Sequence, residues 1–184
     1  MVIPRKLWLS QFFIDTNRIN SRGRLSNMNL LERWHRDGVI SLRMPWDAQL
    51  EAERGNESQR QKAWTYIAPL PFPTTQEEKH DLLRIQQTIF GNHILNDRQR
   101  RDALIVFTAK KYFAILITAD GRSRTQPRGI LGAAKELHYD LGVQVMCDDD
   151  VVMMIRSNIE IRDRMIRADT RLKGMPEPEW CGCD

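Results

Sequence analysis

Nothing in these 184 residues approaches the roughly 20 consecutive apolar residues that a membrane-spanning helix requires. The opening stretch MVIPRKLWLSQFFID is basic and then apolar. It meets an aspartate before a signal-peptide core is complete, and no small-residue cleavage site follows. A first buried strand is expected there, and with it a cytoplasmic location. Cysteine is scarce: an odd total of three argues against a disulfide framework. Cys147 lies in an apolar run and is expected to be a small buried hydrophobe. Cys181 and Cys183 form CGC without the second ligand pair of a structural zinc site. His35, His80, His93 and His138 show no i, i+4 metal-ligand pairing and read as surface or helix-end residues. Neither GxxxxGK[ST] nor GxGxxG occurs, which excludes nucleotide-binding loops of those kinds. There is no internal repeat and no low-complexity segment.

What is present suits one globular domain: 41% hydrophobic and 28% charged residues. The net charge of +4 permits an anionic partner without requiring one. Its distribution is more informative. Residues 121–128 read GRSRTQPR, with Arg122, Arg124 and Arg128 and no acid. Residues 96–111 carry Arg98, Arg100, Arg101, Lys110 and Lys111 against Asp97 and Asp102. Basic groups beside acidic ones would serve phosphate contacts; a solvated helix face accounts for them equally well.

Apolar, β-prone stretches predict strands at 9–15 (LSQFFID), 39–44, 113–118 (FAILIT) and 143–147 (VQVMC). Helical spacing and capping signals predict helices at 29–36, at 47–66 with an interruption near Gly55, at 76–90 from a Thr75–Glu78 capping box, and at 97–111. Two more are expected at 127–141, ended by Gly142, and from Val151 after an Asp148–Asp149–Asp150 cap. Alternation of this kind implies an α/β protein: a three-layer α/β/α sandwich with a central parallel sheet. Residues 1–155 are expected to form the domain, followed at 156–184 by a C-terminal helix and an irregular tail. In such sheets ligands bind beyond the carboxyl ends of the strands, where strand order reverses.

Two predicted strands end in an aspartate, FFID at Asp15 and LITAD at Asp120. In one parallel sheet both carboxylates would emerge at the same edge. Asp102 lies inside a predicted helix whose following residues, ALIVF, are apolar. A carboxylate beside a buried stretch needs a partner, and a metal is one candidate. DTN at Asp15 to Asn17, DALIVFTA at Asp102 to Ala109, LITAD at Leu116 to Asp120, and Met44-Pro45 followed by Glu51 occur in an order and spacing that resembles the PIN-domain nucleases. The resemblance covers roughly residues 12–148. Arg18-Ile19-Asn20 departs from the apolar run that usually follows the family's first motif, and the proline-rich loop APLPFPTT with the long helix after it is a second departure.

The resemblance implies a PIN-like metal-dependent endoribonuclease. Asp15, Glu51, Asp102 and Asp120 would form a catalytic and metal-binding cluster for Mg²⁺ or Mn²⁺, with Glu53 and Asp47 as nearby alternatives to Glu51. Thr16, Asn17, Thr118 and Ser123 would be hydrogen-bonding support, and Arg122, Arg124 and Arg128 contacts to RNA phosphates. Hard cations prefer such oxygen ligands, and they make an anionic phosphodiester approachable by a nucleophile. The family also implies several partners: RNA, a homodimer mate, and an antitoxin or inhibitor protein if the chain is the toxin of a toxin–antitoxin pair. A PIN-like RNA-binding or scaffold module without metal competence is the alternative. A phosphoryl-handling domain of another type would want a second acid two residues after Asp15, where Asn17 stands.

Overall fold

The computed structural model describes residues 4–9, 11–70, 72–121 and 129–184. Strands and helices alternate along them: β1 (Gln11–Ile14), a 3-10 turn (Thr16–Arg18), α1 (Ser26–Arg36), β2 (Ser41–Arg43), α2 (Trp46–Glu53), α3 (Glu57–Ala63), α4 (Gln76–Phe90), α5 (Asp97–Lys111), β3 (Ile115–Ile117), α6 (Gly129–Gly132), α7 (Ala134–Leu141), β4 (Val145–Met146) and α8 (Asp148–Lys173). The interruption expected near Gly55 is a true helix break. Asn56 starts α3 with its own capping box to Gln59. Thr75–Glu78 opens α4 in the same way, and Asn96–Gln99 opens α5 with Asp97 in its first turn. Gly142 ends α7 at φ 68°, a left-handed conformation that favours glycine. The three aspartates 148–150 do not precede α8; they form its first turn, where the helix dipole favours negative charge.

The four strands are all parallel, in the order β2-β1-β3-β4. Phe12 pairs with Leu42 on one side and Ile115 on the other, and Ile117 pairs with Met146. The chain first steps from β1 to β2, then crosses back over β1 to β3 and on to β4. Right-handed crossovers in opposite directions place their helices on opposite faces. The packing agrees: α1 contacts α8, while α2, α5, α4 and α7 form a contiguous series. Helices on both faces explain why Phe12, Phe13, Ile14, Leu116 and Ile117 are all fully buried, with apolar side chains on both sides of the strand. Each such side chain contributes about 2 kcal/mol on removal from water.

The expected division at 155–156 falls within one helix. This is α8, which is continuous over 26 residues and buries Ile155, Ile159 and Ile166. The tail beyond it is irregular but anchored. The Asp184 carboxylate accepts from Arg162 Nη2 at 2.7 Å and from Arg5, and the Gly182 amide donates to Asp163 at 2.8 Å. The Arg162 guanidinium lies 4.7 Å from the centre of the Trp180 ring. Composition alone marks this segment as loose, because the ion pairs that hold it join residues far apart in sequence. Among the described residues no helix is long and apolar enough to cross a membrane.

Candidate active site

β1 and β3 are neighbours with chain progression running away from them in both directions, so their carboxyl ends form the switch point of the sheet. Asp15 follows β1 directly, and its amide still donates to the Ile117 carbonyl at 3.0 Å, as a continuation of the ladder. The Thr118 amide extends β3 toward β4 in the same way, donating to Met146 O at 3.1 Å. Backbone pairing thus sets the two side chains next to each other before any side-chain contact is made.

The DTN triplet and Thr118 then close a network. Asp15 Oδ1 accepts from the Thr16 amide at 2.7 Å. Its Oδ2 accepts from Asn17 Nδ2 and from the Thr118 hydroxyl, both at 2.6 Å. Having donated its one hydrogen, Thr118 Oγ1 accepts from Asn17 Nδ2 and from the Asp120 amide, each at 3.0 Å. Asn17 Oδ1 accepts from the Ala119 amide at 2.9 Å. Asn17 and Thr118 therefore set the Ala119–Asp120 turn relative to Asp15. Thr16, Asn17 and Thr118, named as hydrogen-bonding support in the sequence, are the residues that make these bonds.

Glu51 is brought in from α2. The Thr16 hydroxyl lies 3.0 Å from Glu51 Oε2 and 3.2 Å from the Ala48 carbonyl. The alternatives to Glu51 separate clearly. Glu53 is exposed and points elsewhere on the helix. Asp47 is buried and held above the usual carboxylate range by desolvation, but the charge that reaches it is that of Arg101, and its Oδ2 has no hydrogen-bond partner among the described residues. Asp120 is held by the amide of Ile130, which donates to its Oδ2 at 2.9 Å. That contact depends on Gly129: at φ 34°, a Cβ there would lie 2.5 Å from the Gly121 nitrogen and 2.7 Å from Asp120 Oδ2.

Electrostatics shows the four acids converging. Burial raises Asp15 to about 6 against the opposing hydrogen bonds from Thr118 and Thr16, and the charges of Glu51 and Asp120 add to the rise. Asp102 goes to about 7, first by burial and then by the charges of Asp15, Asp120 and Glu51, with Arg98 opposing. Among the described residues no donor hydrogen-bonds the Asp102 carboxylate. A half-buried carboxylate facing three others without a donor is an uncompensated negative site, and its donor set is all hard oxygen; both properties suit a divalent cation. The side chains do not stand at ready ligating separations: among the described residues no three acidic, histidine or cysteine side chains form a closed metal-binding group. Binding would draw them inward or leave waters in the coordination shell, as is usual for Mg²⁺.

Ser123, Arg122, Arg124 and Arg128 lie outside the described residues. One feature of the rim is not evident from the sequence. Arg18 Nη1 donates to Asp148 Oδ1 at 2.9 Å, and Asp148 follows β4 at the same edge of the sheet. Only part of it has a local signal: VQVMCD ends a strand near an aspartate, as FFID and LITAD do. Trp46 is half-buried at the start of α2 and packs edge-on against Trp64, with ring centres 6.2 Å apart. A cavity of about 770 Å³ lies at the opposite end of the sheet, beside Gln11, Ile115 and Gln144. Two of its acids are paired, Asp81 with Lys110 and Glu78 with Lys111. Cys147 is buried as expected, and no disulfide joins the three cysteines among the described residues. No family model matches the sequence, and no curated protein matches it.

Proposed function

We propose that the chain is a PIN-like, divalent-cation-dependent endoribonuclease whose active site is the acidic cluster at the carboxyl ends of β1 and β3. The observation that carries this reading is the burial of Asp102 beside Asp15, Asp120 and Glu51: desolvation first, and then their charges, lift it to about 7, with no donor among the described residues to relieve it. These four carboxylates would hold Mg²⁺ or Mn²⁺, which when bound supplies charge neutralisation at the phosphodiester and a water of lowered pKa. Asp15, locked by three hydrogen bonds, keeps the geometry. One of the four carboxylates would also accept the proton of the attacking water. Hydrolysis would leave a 5′-phosphate and a 3′-hydroxyl, as the family resemblance implies. Arg122, Arg124 and Arg128 stand as proposed phosphate contacts. The narrower form of this reading is the toxin of a toxin–antitoxin pair, acting as a homodimer, with an antitoxin segment covering the acidic rim.

A second reading, a PIN-like RNA-binding module that does not cut, is favoured by one observation: the absence of a closed three-ligand group among the described residues. One experiment separates the two. A mixed RNA pool is incubated with wild type and with Asp102→Asn, in Mn²⁺ or Mg²⁺, with and without chelator. The nuclease reading expects cutting that needs the metal and is lost in the variant. RNA that is bound but stays intact supports the second reading, and cutting unaffected by the substitution refutes the assignment of Asp102.

A further inference from the structure

Arg18 ends the 3-10 turn that carries Thr16 and Asn17. Its Nε donates to the Asn17 carbonyl at 3.1 Å and its Nη1 to Asp148 at 2.9 Å. Asp148 lies just beyond β4, and β3 runs between β1 and β4. With adjacent strands about 4.8 Å apart, β1 and β4 stand about 10 Å apart, and the Arg18–Asp148 pair joins the segments that follow them across the carboxyl end of β3. Thr118, Ala119 and Asp120 emerge at that end.

This arginine is built in rather than solvated. Its side chain is 18% exposed and that of Asp148 13%. A guanidinium has five N–H donors in a planar fork. The described residues engage its Nε and Nη1 and make no bond to its Nη2. Holding a long side chain in place removes the entropy that it would otherwise lose on binding an anion. The contrast is Arg98, whose charge reaches Asp102 but which is exposed and makes no ion pair among the described residues.

We propose that Arg18 is a substrate-binding residue of this site, gripping a backbone phosphate of the RNA while Asp148 holds its guanidinium in position. The assignment rests on the nuclease reading. It gives an anionic substrate a fixed cation beside a cluster that would otherwise repel it, in the fork geometry that suits a phosphate.

The test uses the full chain carrying Asp102→Asn to block cutting, with a short fluorescein-labelled single-stranded RNA and Mg²⁺, across a salt titration. Arg18→Gln, which keeps length and hydrogen bonding, should weaken binding about tenfold. It should also make the slope of log K against log salt shallower by about 0.7, the value for one lost single-strand phosphate contact. Arg18→Ala should match it; if that variant does not fold, Arg18→Gln alone decides. Asp148→Asn breaks the ion pair but leaves the cation, so the slope should stay that of the parent. A purely structural role predicts the opposite pattern, with Arg18→Gln and Asp148→Asn losing thermal stability alike and neither altering the slope; that result overturns the proposal. If the parent fails to bind RNA even at low salt, the nuclease reading falls and this assignment with it. If the parent binds and the Arg18→Gln slope coincides with its own, only the assignment of Arg18 falls.

Discussion

Replacing Asp102 by asparagine should stabilise the metal-free protein at neutral and alkaline pH while it abolishes function. Asp102 rises from its ordinary 3.8 to about 7 in the folded chain. An acid whose folded pKa is raised holds its proton more tightly when folded, so its destabilising effect is absent below about pH 4. The effect grows as pH rises toward 7 and is complete above that. At 1.36 kcal/mol per unit, a rise of about three units corresponds to about 4 kcal/mol. Relaxation of the neighbouring carboxylates and entry of water return part of that, so we expect a net gain of about 2 kcal/mol for Asp102→Asn at pH 8. The assay is urea unfolding of wild type and variant at pH 5 and pH 8 in chelator. Wild type should lose stability between the two pH values, and the variant should lose less. Adding Mn²⁺ at pH 8 should recover the wild-type loss, because a ligand bound only by the folded state stabilises it in proportion to RT ln(1 + [L]/Kd). Parallel pH dependences, or a variant less stable than wild type at pH 8, would refute the claim that Asp102 is an uncompensated charge.

Three further outcomes are expected. Thr118→Val removes a donor to Asp15 and an acceptor for Asn17 and Asp120, and should cost about 1–3 kcal/mol in chemical denaturation; an unchanged midpoint would show that the network carries little energy. Gly129→Ala inserts a methyl where Asp120 Oδ2 and the Gly121 backbone already stand. It should reduce Mn²⁺ affinity, measured by calorimetry, with no acid removed; wild-type affinity would mean that Asp120 does not depend on this turn. Truncation after Ile155 strips Ile159 and Ile166 from the core. Because losing either side chain alone typically costs about 2–5 kcal/mol, the truncated chain should show no cooperative thermal transition; a sharp transition would support a domain boundary at 155.

Much of the fold was legible because it rests on local signals. FFI and ILI are apolar throughout, as strands buried on both faces must be, and the Thr75–Glu78 box and Gly142 act within a few residues of where they stand. The strand-end rule likewise marked Asp15 and Asp120, since a parallel sheet puts both at one edge. What sequence could not decide lay in pairings across long separations. Glu51 was separable from Glu53 and Asp47 only in the tertiary structure, where the hydroxyl of Thr16, 35 residues away, meets Glu51 while Glu53 is exposed and Asp47 is buried near Arg101. The tail read as irregular because its hold on the fold runs from Asp184 to Arg5 and Arg162, which no local pattern announces. Asp148 was legible as a helix-start acid but not as the partner of Arg18, 130 residues earlier. Local chemistry determined which segments become strand or helix and where each begins. Strand order determined which charges meet, since the return across β1 to β3 sets Asp15 beside Asp120. The unfavourable energy of crowding those carboxylates exists only in the tertiary structure.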